Sequence, residues 1–260
     1  MPKSSAVQDS PRRIHLMDEL RGFAVFCMVF YHGFYTFGYL FGNEIGMYFF
    51  RFFMPAEPFF AGLFLFISGI ASNLTHSNLA RGIKLLAVAL GVTLVTWLFV
   101  PQDIITFGVL HFLSVCMILF GFLKPYADRL PFSWVAVILC FALYCLTRGV
   151  PRGILGYGAG FGIPLPQNLY KTAWLAPFGF PGPDFASADY FPLLPWIFVF
   201  AAGTIVGKLA KAGKFPEITY RSQVPVLSWF GRHALVLYLF HQPVIYGFCL
   251  LLKFLAPYFS

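Results

Sequence analysis

The sequence predicts an all-α polytopic membrane protein, a helical bundle of about seven transmembrane spans with a cytoplasmic N-terminus. Its composition leads to this class. Hydrophobic residues make up 59% of the 260 residues and charged residues only 11%, a balance outside the range of soluble domains. Phenylalanine occurs 34 times, which supplies aromatic surface for contacts with lipid and between helices. The lipid bilayer is therefore the first partner that the sequence implies.

Long apolar segments separated by polar connections give the order of the elements. At about 1.5 Å per helical residue, each segment is long enough to cross most or all of a hydrocarbon core of roughly 30 Å. The first apolar run is too long for a signal peptide, and no small-residue cleavage site follows it. In the sixth span, Gly203-Thr-Ile-Val-Gly207 predicts close packing against another helix. The predicted spans are residues 17–40, 53–74, 82–100, 107–124, 132–148, 190–210 and 228–253.

The basic residues predict how these spans are oriented. With the N-terminus in the cytoplasm, thirteen of the 18 Lys and Arg residues fall in inside segments and five in outside segments. This agrees with the positive-inside rule. The net charge of +8 is thereby explained without nucleic acid as a partner. The sequence predicts a multi-pass protein of the cell (inner) membrane and carries no signal of oligomeric state.

One connection is much longer than the others, residues 148–189, and it is rich in Gly, Pro and aromatic residues. A loop of this length in a compact domain is usually functional or disordered. Two interpretations stay open, a lid over an outward-facing cavity and a loop half-embedded in the membrane interface. Residues 1–13 are predicted to be a flexible segment and residues 14–260 a single transmembrane domain. The five cysteines show neither metal nor disulfide spacing, and no metal is expected.

The first span carries the residues that point most directly to chemistry. Arg21 and His32 are eleven residues apart, which is about three helical turns and roughly 16 Å, so both project from nearly one face. Arg21 would lie at the cytoplasmic surface, where a guanidinium binds phosphate and where Asp18 and Glu19 can pair with it. His32 would lie near mid-membrane, where an ionisable group is expensive and marks a functional site. The alternative for His32 is a neutral side chain bonded to another helix.

Several polar residues are predicted at the outer level of the bundle. Asn43 follows the first span and is either a turn residue or an amide that polarises a carbonyl. The outer ends of the second, fourth and sixth spans begin near Glu57, His111 and Asp189-Tyr190. Together these four residues predict a rim that binds a hydroxylated or amino substrate. Helix capping is the competing interpretation, with Asp189 as an N-cap of the sixth span.

The last span adds a cytoplasmic cation, Arg232, and a histidine about halfway across, His241, followed by Gln242. Three histidines at intermediate or outer depth, at positions 32, 111 and 241, also suit a haem-binding membrane electron carrier with two axial ligands. A small-molecule transporter or flippase is a further alternative, because buried polar groups serve transport as well as catalysis.

Six motifs in chain order carry a resemblance to a known family. Over residues 12–250 they resemble the bacterial members of the heparan-α-glucosaminide N-acetyltransferase catalytic-domain family. The Arg-x10-His spacing is also similar to that of the wider transmembrane acyltransferase superfamily, which includes bacterial polysaccharide O-acetyltransferases. The motifs are Asp18-Glu-Leu-Arg-Gly22, the Arg21-x10-His32 spacing, Phe66-Ile-Ser-Gly69, Gly108-Val-Leu-His-Phe112, Asp189-Tyr-Phe-Pro-Leu-Leu-Pro-Trp196 and Gly231-Arg-His-Ala-Leu-Val-Leu-Tyr238.

The resemblance implies an acetyl-CoA donor at the cytoplasmic side and an amino-sugar or glycan acceptor at the opposite side, with N- and O-acylation both open. Arg21, helped by Arg81, Lys84 and Arg232, would hold the CoA phosphates. His32 would take the acceptor's proton, directly or by way of an acetyl-histidine, while Asn43 or another amide steadies the oxyanion.

One departure from the family pattern concerns the base. The lysosomal branch of the family has Asn at the position of His32, and its catalytic His follows about eleven residues later, where this chain has Asn43. The two residue types are therefore exchanged here, and the resemblance leaves open which of the two positions supplies the base. This chain also has fewer spans than the lysosomal enzyme and no large soluble lumenal part, so heparan itself is not the expected substrate.

Overall fold

The structure is a computed structural model that describes residues 13–156 and 162–255. The predicted flexible segment therefore lies outside the described residues except for Arg13, and so do residues 157–161 of the long loop. Within the described ranges the chain forms the helices α1 (His15–Tyr35), α2 (Glu44–Phe53), α3 (Glu57–Leu74), α4 (Asn78–Phe99), α5 (Val109–Ala127), α6 (Trp134–Thr147), α7 (Leu193–Lys211), α8 (Pro225–Arg232) and α9 (Ala234–Leu255).

Seven helical stretches of the described chain are long and apolar enough to cross a membrane, which confirms the fold class and the number of spans. A π-helical turn, Thr36–Leu40, lengthens the first stretch beyond α1. The second stretch begins at Glu44 instead of residue 53, because α2 precedes α3 with only a short 3₁₀ turn between them. The last begins at Ala234 instead of residue 228. His233 has non-helical backbone angles there and separates α8 from α9.

Large apolar side chains cover the outer faces of several helices. Phe99 on α4, Val135 on α6 and Phe248 on α9 are 77%, 75% and 58% exposed. Contiguous apolar surface of this kind is rare on a soluble monomer, whereas in hydrocarbon it is the expected surface. The chain is a multi-pass membrane protein.

The contacts of the chain divide it into two compact units. The first unit comprises residues 1–64 and 215–260, and the second comprises residues 65–214. The boundary falls inside α3.

The first unit is built around the contact between α1 and α8. A Cβ atom placed on Gly231 would overlap the backbone carbonyl of Asp18, and one placed on Gly22 would overlap the carbonyl of Leu227. Only glycine fits at either position, because the two backbones touch without intervening side chains. These glycines belong to the first and last of the six motifs. The motifs therefore mark a helix–helix contact between segments about 200 residues apart.

Helices α1 and α9 lie side by side in the same unit and run in the same direction. His32 contacts His241, Thr36 bonds to Gln242, and the Phe41 ring lies 5.6 Å from that of Tyr246. The residue numbers of the contacting partners increase together along both helices, which shows that the two helices are parallel. An odd number of spans requires this arrangement of the first and the last, so the packing agrees with a count of seven.

The second unit contains the helix pairs α4–α5 and α6–α7 together with the end of α3. The predicted close packing at Gly203 and Gly207 is confirmed. A Cβ on Gly203 would overlap the carbonyl of Phe66, and a Cβ on Gly69 would overlap that of Phe200. Asn73 near the end of α3 donates through Nδ2 to the carbonyl of Thr204 at 2.5 Å. Small residues thus bring α3 and α7 into backbone contact.

The long loop has defined structure in its described parts. Its strands β1 (Ile154–Leu155) and β2 (Ile163–Pro164) form an antiparallel pair, and short 3₁₀ turns follow at Gln167–Tyr170 and Ala173–Phe178. Tyr170 donates to the carbonyl of Val150, and Tyr190 donates to that of Ala176 at 2.7 Å. Burial raises the pKa of both phenols, so they remain protonated donors at neutral pH.

Candidate functional site

Arg21 and His32 lie on one uninterrupted helix, α1. The helical geometry that their spacing predicted is therefore confirmed, with a rise of roughly 16 Å between the two residues. Arg21 lies near the start of the helix, and its guanidinium is 3.6 Å from Oδ1 of Asp18. Arg13 contacts Oδ2 of the same carboxylate at 2.7 Å. One end of the first unit thus carries two arginines around a single buried aspartate.

Arg232 belongs to this same end of the unit. It is the last residue of α8 and is exposed. Arg232 follows Gly231 in sequence and Arg21 precedes Gly22, and the backbones of these two glycines are in contact. Arg21 and Arg232 therefore lie next to the point where α1 and α8 touch, and their role as CoA ligands stays a prediction.

Glu19 is a contributor that the sequence interpretation missed. Its position near Arg21 in sequence suggests only an ion-pair partner of that arginine. Instead its Oε1, in a side chain that is 4% exposed, accepts hydrogen bonds from the backbone N–H groups of Gln223 and Val224 at 2.7 and 2.9 Å. The hydroxyl of Ser222 donates to it at 2.9 Å. A carboxylate here satisfies the free amides and complements the positive end of the dipole of α8, and so fixes α8 against α1.

His32 is paired with His241 in the interior of the first unit. Their ring centroids are 5.0 Å apart and their planes are tilted by 54°. Neither nitrogen of His32 has a hydrogen-bond partner among the described residues. His241 differs, because its Nδ1 lies 2.7 Å from the carbonyl oxygen of Tyr238. The next residue, Gln242, donates through Nε2 to the hydroxyl of Thr36 at 3.0 Å.

Two polar atoms at this site, Nε2 of His241 itself and Oε1 of the neighbouring Gln242, are buried without a hydrogen-bond partner among the described residues. Buried polar atoms in proteins are nearly always paired, and an exception needs an explanation such as a bound molecule or a catalytic role. The aromatic ring of Tyr31, 5.4 Å from the ring of His32, lines the site, and the rings of Phe50 and Phe60 contact Tyr31 in turn. The histidine pair therefore sits in a mostly apolar setting with two open acceptor sites.

Asn43 caps a helix in the first unit. Its Oδ1 accepts from the backbone N–H groups of Ile45 and Gly46 at 3.0 and 3.1 Å, which is the usual N-cap geometry. This geometry explains Asn at the residue before α2 and fits the turn interpretation. The role of Asn43 as an oxyanion donor stays a prediction. Glu57 is the first residue of α3 and is half-buried. Because the second membrane-spanning stretch begins at Glu44, Glu57 lies within that stretch and not at its start. Its role in binding substrate stays a prediction.

In the second unit three of the four predicted rim residues, His111, Asp189 and Tyr190, meet at the start of α5. Oδ2 of Asp189 accepts from the backbone N–H of Val109 at 3.0 Å, so Asp189 caps α5 and not the sixth span, α7. The competing interpretation, in which it caps its own helix, was wrong, because the residue at the N-cap of α7 is Pro192. Tyr190 pairs in a short bridge with Phe107. A Cβ on Gly108 would overlap the Asp189 carboxylate.

His111 is buried in the same region and both of its ring nitrogens are engaged. Nδ1 accepts from the backbone N–H of Gly108 at 3.3 Å, so the proton lies on Nε2, which is 3.2 Å from the hydroxyl of Thr93. That hydroxyl in turn donates to the carbonyl of Ile105 at 2.6 Å. A neutral histidine with both nitrogens satisfied links α4 and α5. Its role in binding substrate stays a prediction.

Arg81 and Lys84 both lie on α4 of the second unit and are exposed. Arg81 donates to the hydroxyl of Thr75 at 2.7 Å. Their predicted role at the CoA phosphates stays a prediction.

The His32–His241 geometry does not suit axial haem ligation. Two imidazoles on opposite sides of one metal, each with a metal–nitrogen distance of about 2 Å, place their ring centroids roughly 6 Å apart. The observed 5.0 Å brings the rings into contact and leaves no room for a porphyrin between them. The third histidine considered, His111, has both nitrogens engaged.

Comparisons with known proteins give one positive result. No curated protein and no solved structure matches the chain. The model of the family described as "Heparan-alpha-glucosaminide N-acetyltransferase, catalytic" matches residues 13–243, a range that includes all six motifs, all of the second unit and most of the first. The chain belongs to this family of membrane acetyltransferases.

Proposed function

We propose that the protein transfers an acetyl group from cytoplasmic acetyl-CoA to an amino-sugar or glycan acceptor on the opposite side of the cell membrane. The observation that carries the proposal is the placement of Arg21 and His32 on one helix, with a basic end at one level and a histidine pair three turns away. Family membership supports acetyl transfer in general. The match extends over both units, which supports a single catalytic domain over residues 14–260.

The basic end of the first unit binds the phosphates of acetyl-CoA. Arg21 and Arg232 are its ligands, because guanidinium groups form paired, charge-assisted bonds to phosphate oxygens. Asp18 holds Arg21 and Arg13 in position. If the N-terminus is cytoplasmic, Arg81 and Lys84 of the second unit also lie in a cytoplasmic segment and add positive charge on that side of the membrane.

His32 carries the proton of the reaction. The amine or hydroxyl of the acceptor attacks the thioester carbonyl, the new bond to carbon forms, and the bond to sulfur breaks. His32 receives the proton that the acceptor loses and returns it to the departing CoA thiolate, so the products are the acetylated acceptor and free CoA thiol. The amide of Asn43 steadies the negative charge on the carbonyl oxygen during the attack.

The proposed acceptor ligands are the polar residues that the sequence predicts at the outer ends of the spans, Glu57 in the first unit and His111, Asp189 and Tyr190 in the second. The described parts of the long loop support a role as cover for the residues of the second unit, since Tyr190 is bonded to the turn at Ala176. Carboxylates and a phenol bind hydroxyl and amino groups of sugars by ordinary hydrogen bonds.

A transfer assay tests the proposal. The purified protein is incubated with radiolabelled acetyl-CoA and, separately, with glucosamine and a panel of glycans. We expect label in the acceptor and an equal amount of free CoA thiol. Binding of acetyl-CoA without labelled product from any acceptor would contradict acyl transfer, and uptake of an unmodified solute into vesicles would favour the transporter alternative instead.

The orientation of the chain can be tested with cysteine labelling. All five native cysteines are replaced, and single cysteines are introduced at the exposed positions Glu44, Asp184 and Ile218. With a membrane-impermeant maleimide on intact cells, we expect Glu44→Cys and Asp184→Cys to react, and Ile218→Cys to react only after the membrane is opened. The reverse pattern would put Arg21 and Arg232 on the side without acetyl-CoA and would exclude the mechanism.

A further inference from the structure

The hydrogen bond of His241 fixes which of its nitrogens can act as a base. Nδ1 lies 2.7 Å from the carbonyl oxygen of Tyr238. A carbonyl oxygen only accepts, so Nδ1 carries the hydrogen and donates it. In the neutral imidazole the other nitrogen, Nε2, then holds a free lone pair. This atom is buried and has no hydrogen-bond partner among the described residues.

The register between α1 and α9 places this lone pair relative to the rest of the site. His241 is level with His32, and Gln242 is bonded to Thr36, one helical turn further from Arg21. Gln242, with its unpartnered Oε1, therefore lies further from Arg21 along α1 than His32 does. If CoA is bound at the arginines, the acceptor reaches His241 and Gln242 from the other direction.

The two unpartnered atoms are of one kind, because Nε2 of His241 and Oε1 of Gln242 both accept hydrogen bonds and neither donates. The group that completes them must donate. The nucleophile of the acceptor is such a group, since an amine or hydroxyl carries the hydrogen that it loses in the reaction. Water also donates, but a water on His241 would occupy the place of the nucleophile and leave when the nucleophile binds.

We propose that His241 is a second catalytic histidine, which takes the proton from the acceptor's nucleophile and passes it to His32. This inference rests on the proposed acetyl transfer. As the nucleophile bonds to the carbonyl carbon, its proton moves to Nε2 of His241. His32, whose ring is 5.0 Å from that of His241, then receives a proton and delivers one to the CoA thiolate as the carbon–sulfur bond breaks. When the nucleophile is an amine, Oε1 of Gln242 accepts its second hydrogen and orients it; a hydroxyl carries a single hydrogen and donates it to His241 alone.

The test uses His241→Asn in the full-length protein. An asparagine amide reproduces the Nδ1–H donor toward the carbonyl of Tyr238 and removes only Nε2, so it separates the base from the structural bond. We expect transfer to glucosamine to fall by about 10²-fold or more, the usual contribution of a general base, with acetyl-CoA affinity unchanged. The matched control is His233→Asn, since His233 bonds to the carbonyl of Trp229 through Nδ1 in a similar way and lies outside the pair.

A second variant decides the question if His241→Asn binds acetyl-CoA poorly or unfolds. In His241→Ala, imidazole added to the assay should restore part of the transfer rate, because it supplies the missing base. Absence of recovery in a folded His241→Ala protein, or a rate within about threefold of wild type for His241→Asn, overturns the role of His241. If wild-type protein itself transfers no acetyl group, it is the proposed function that fails, and this inference fails with it.

Discussion

Replacement of His32 by alanine is expected to abolish acetyl transfer and leave acetyl-CoA binding nearly unchanged. The imidazole would move the acceptor's proton, and loss of a general base of this kind lowers turnover by about 10²- to 10⁴-fold. The ring lies about three turns from the arginines, so the phosphates of CoA would keep their ligands. The measurements are the initial rate of transfer from labelled acetyl-CoA and the Kd of acetyl-CoA by calorimetry.

The opposite pattern is expected for Arg21→Ala, which serves as the comparison. A charge-assisted hydrogen bond contributes about 1.5–3 kcal/mol, so loss of Arg21 should weaken acetyl-CoA binding by roughly 10- to 100-fold while the reaction of bound acetyl-CoA continues. Full transfer activity in His32→Ala would show that another residue moves the proton. Loss of acetyl-CoA binding in that variant would show that His32 holds the donor instead.

Gly231→Ala is expected to destabilise the first unit strongly. The added Cβ would overlap the carbonyl oxygen of Asp18 and lie 3.0 Å from the amide nitrogen of Gly22. Both obstacles are backbone, so α8 must move away from α1 and the hydrogen bonds of Glu19 to the start of α8 must lengthen. Overpacking of this kind costs about 3 kcal/mol at the upper end of its usual range. Thermal unfolding of the purified protein in detergent should show a clear decrease in Tm.

The matched control is Gly247→Ala, also a helical glycine of the first unit. A Cβ at Gly247 meets nothing within 4 Å, and alanine is the better helix former by about 1 kcal/mol. Its Tm should stay the same or rise slightly. An equal decrease in both variants would contradict the close contact of α1 with α8, and an unchanged Tm in Gly231→Ala would contradict it as well.

The sequence predicted the spans well because hydropathy and length are local properties. It did not predict the separation of α8 from α9, since the apolar pattern runs on through His233 and only the packing of α8 against α1 requires a break there. It also did not predict α2, which is short and follows the first span almost directly. The partner of Asp189 was missed for a related reason. Asp189 lies 80 residues from Val109, and no local signal pairs them.

Sequence spacing predicted the relative positions of site residues that share one helix, but not of residues on different helices. Arg21 and His32 share α1, so their relation followed from 3.6 residues per turn. The contact between His32 and His241 depends on the register of two distant helices, which hydropathy does not encode. The motifs also mark positions of close packing, which the sequence alone did not predict for them. At Gly22, Gly108 and Gly231 a side chain would collide with the backbone or a carboxylate of a distant segment.

The first unit is assembled from both ends of the described chain, and this determines when it can form during synthesis. Glu19 finds its partners at Gln223 and Val224, and His32 finds its partner at position 241. Chains are made from the N-terminus at about 5–20 residues per second, so α1 waits roughly 10–40 s in the membrane before residues 215–255 emerge. During that interval Arg21 and His32 are present but the second histidine and the α8 support are not. A nascent or truncated chain that stops before α8 therefore lacks the catalytic arrangement, and competence for transfer would begin only after α8 and α9 have been synthesised.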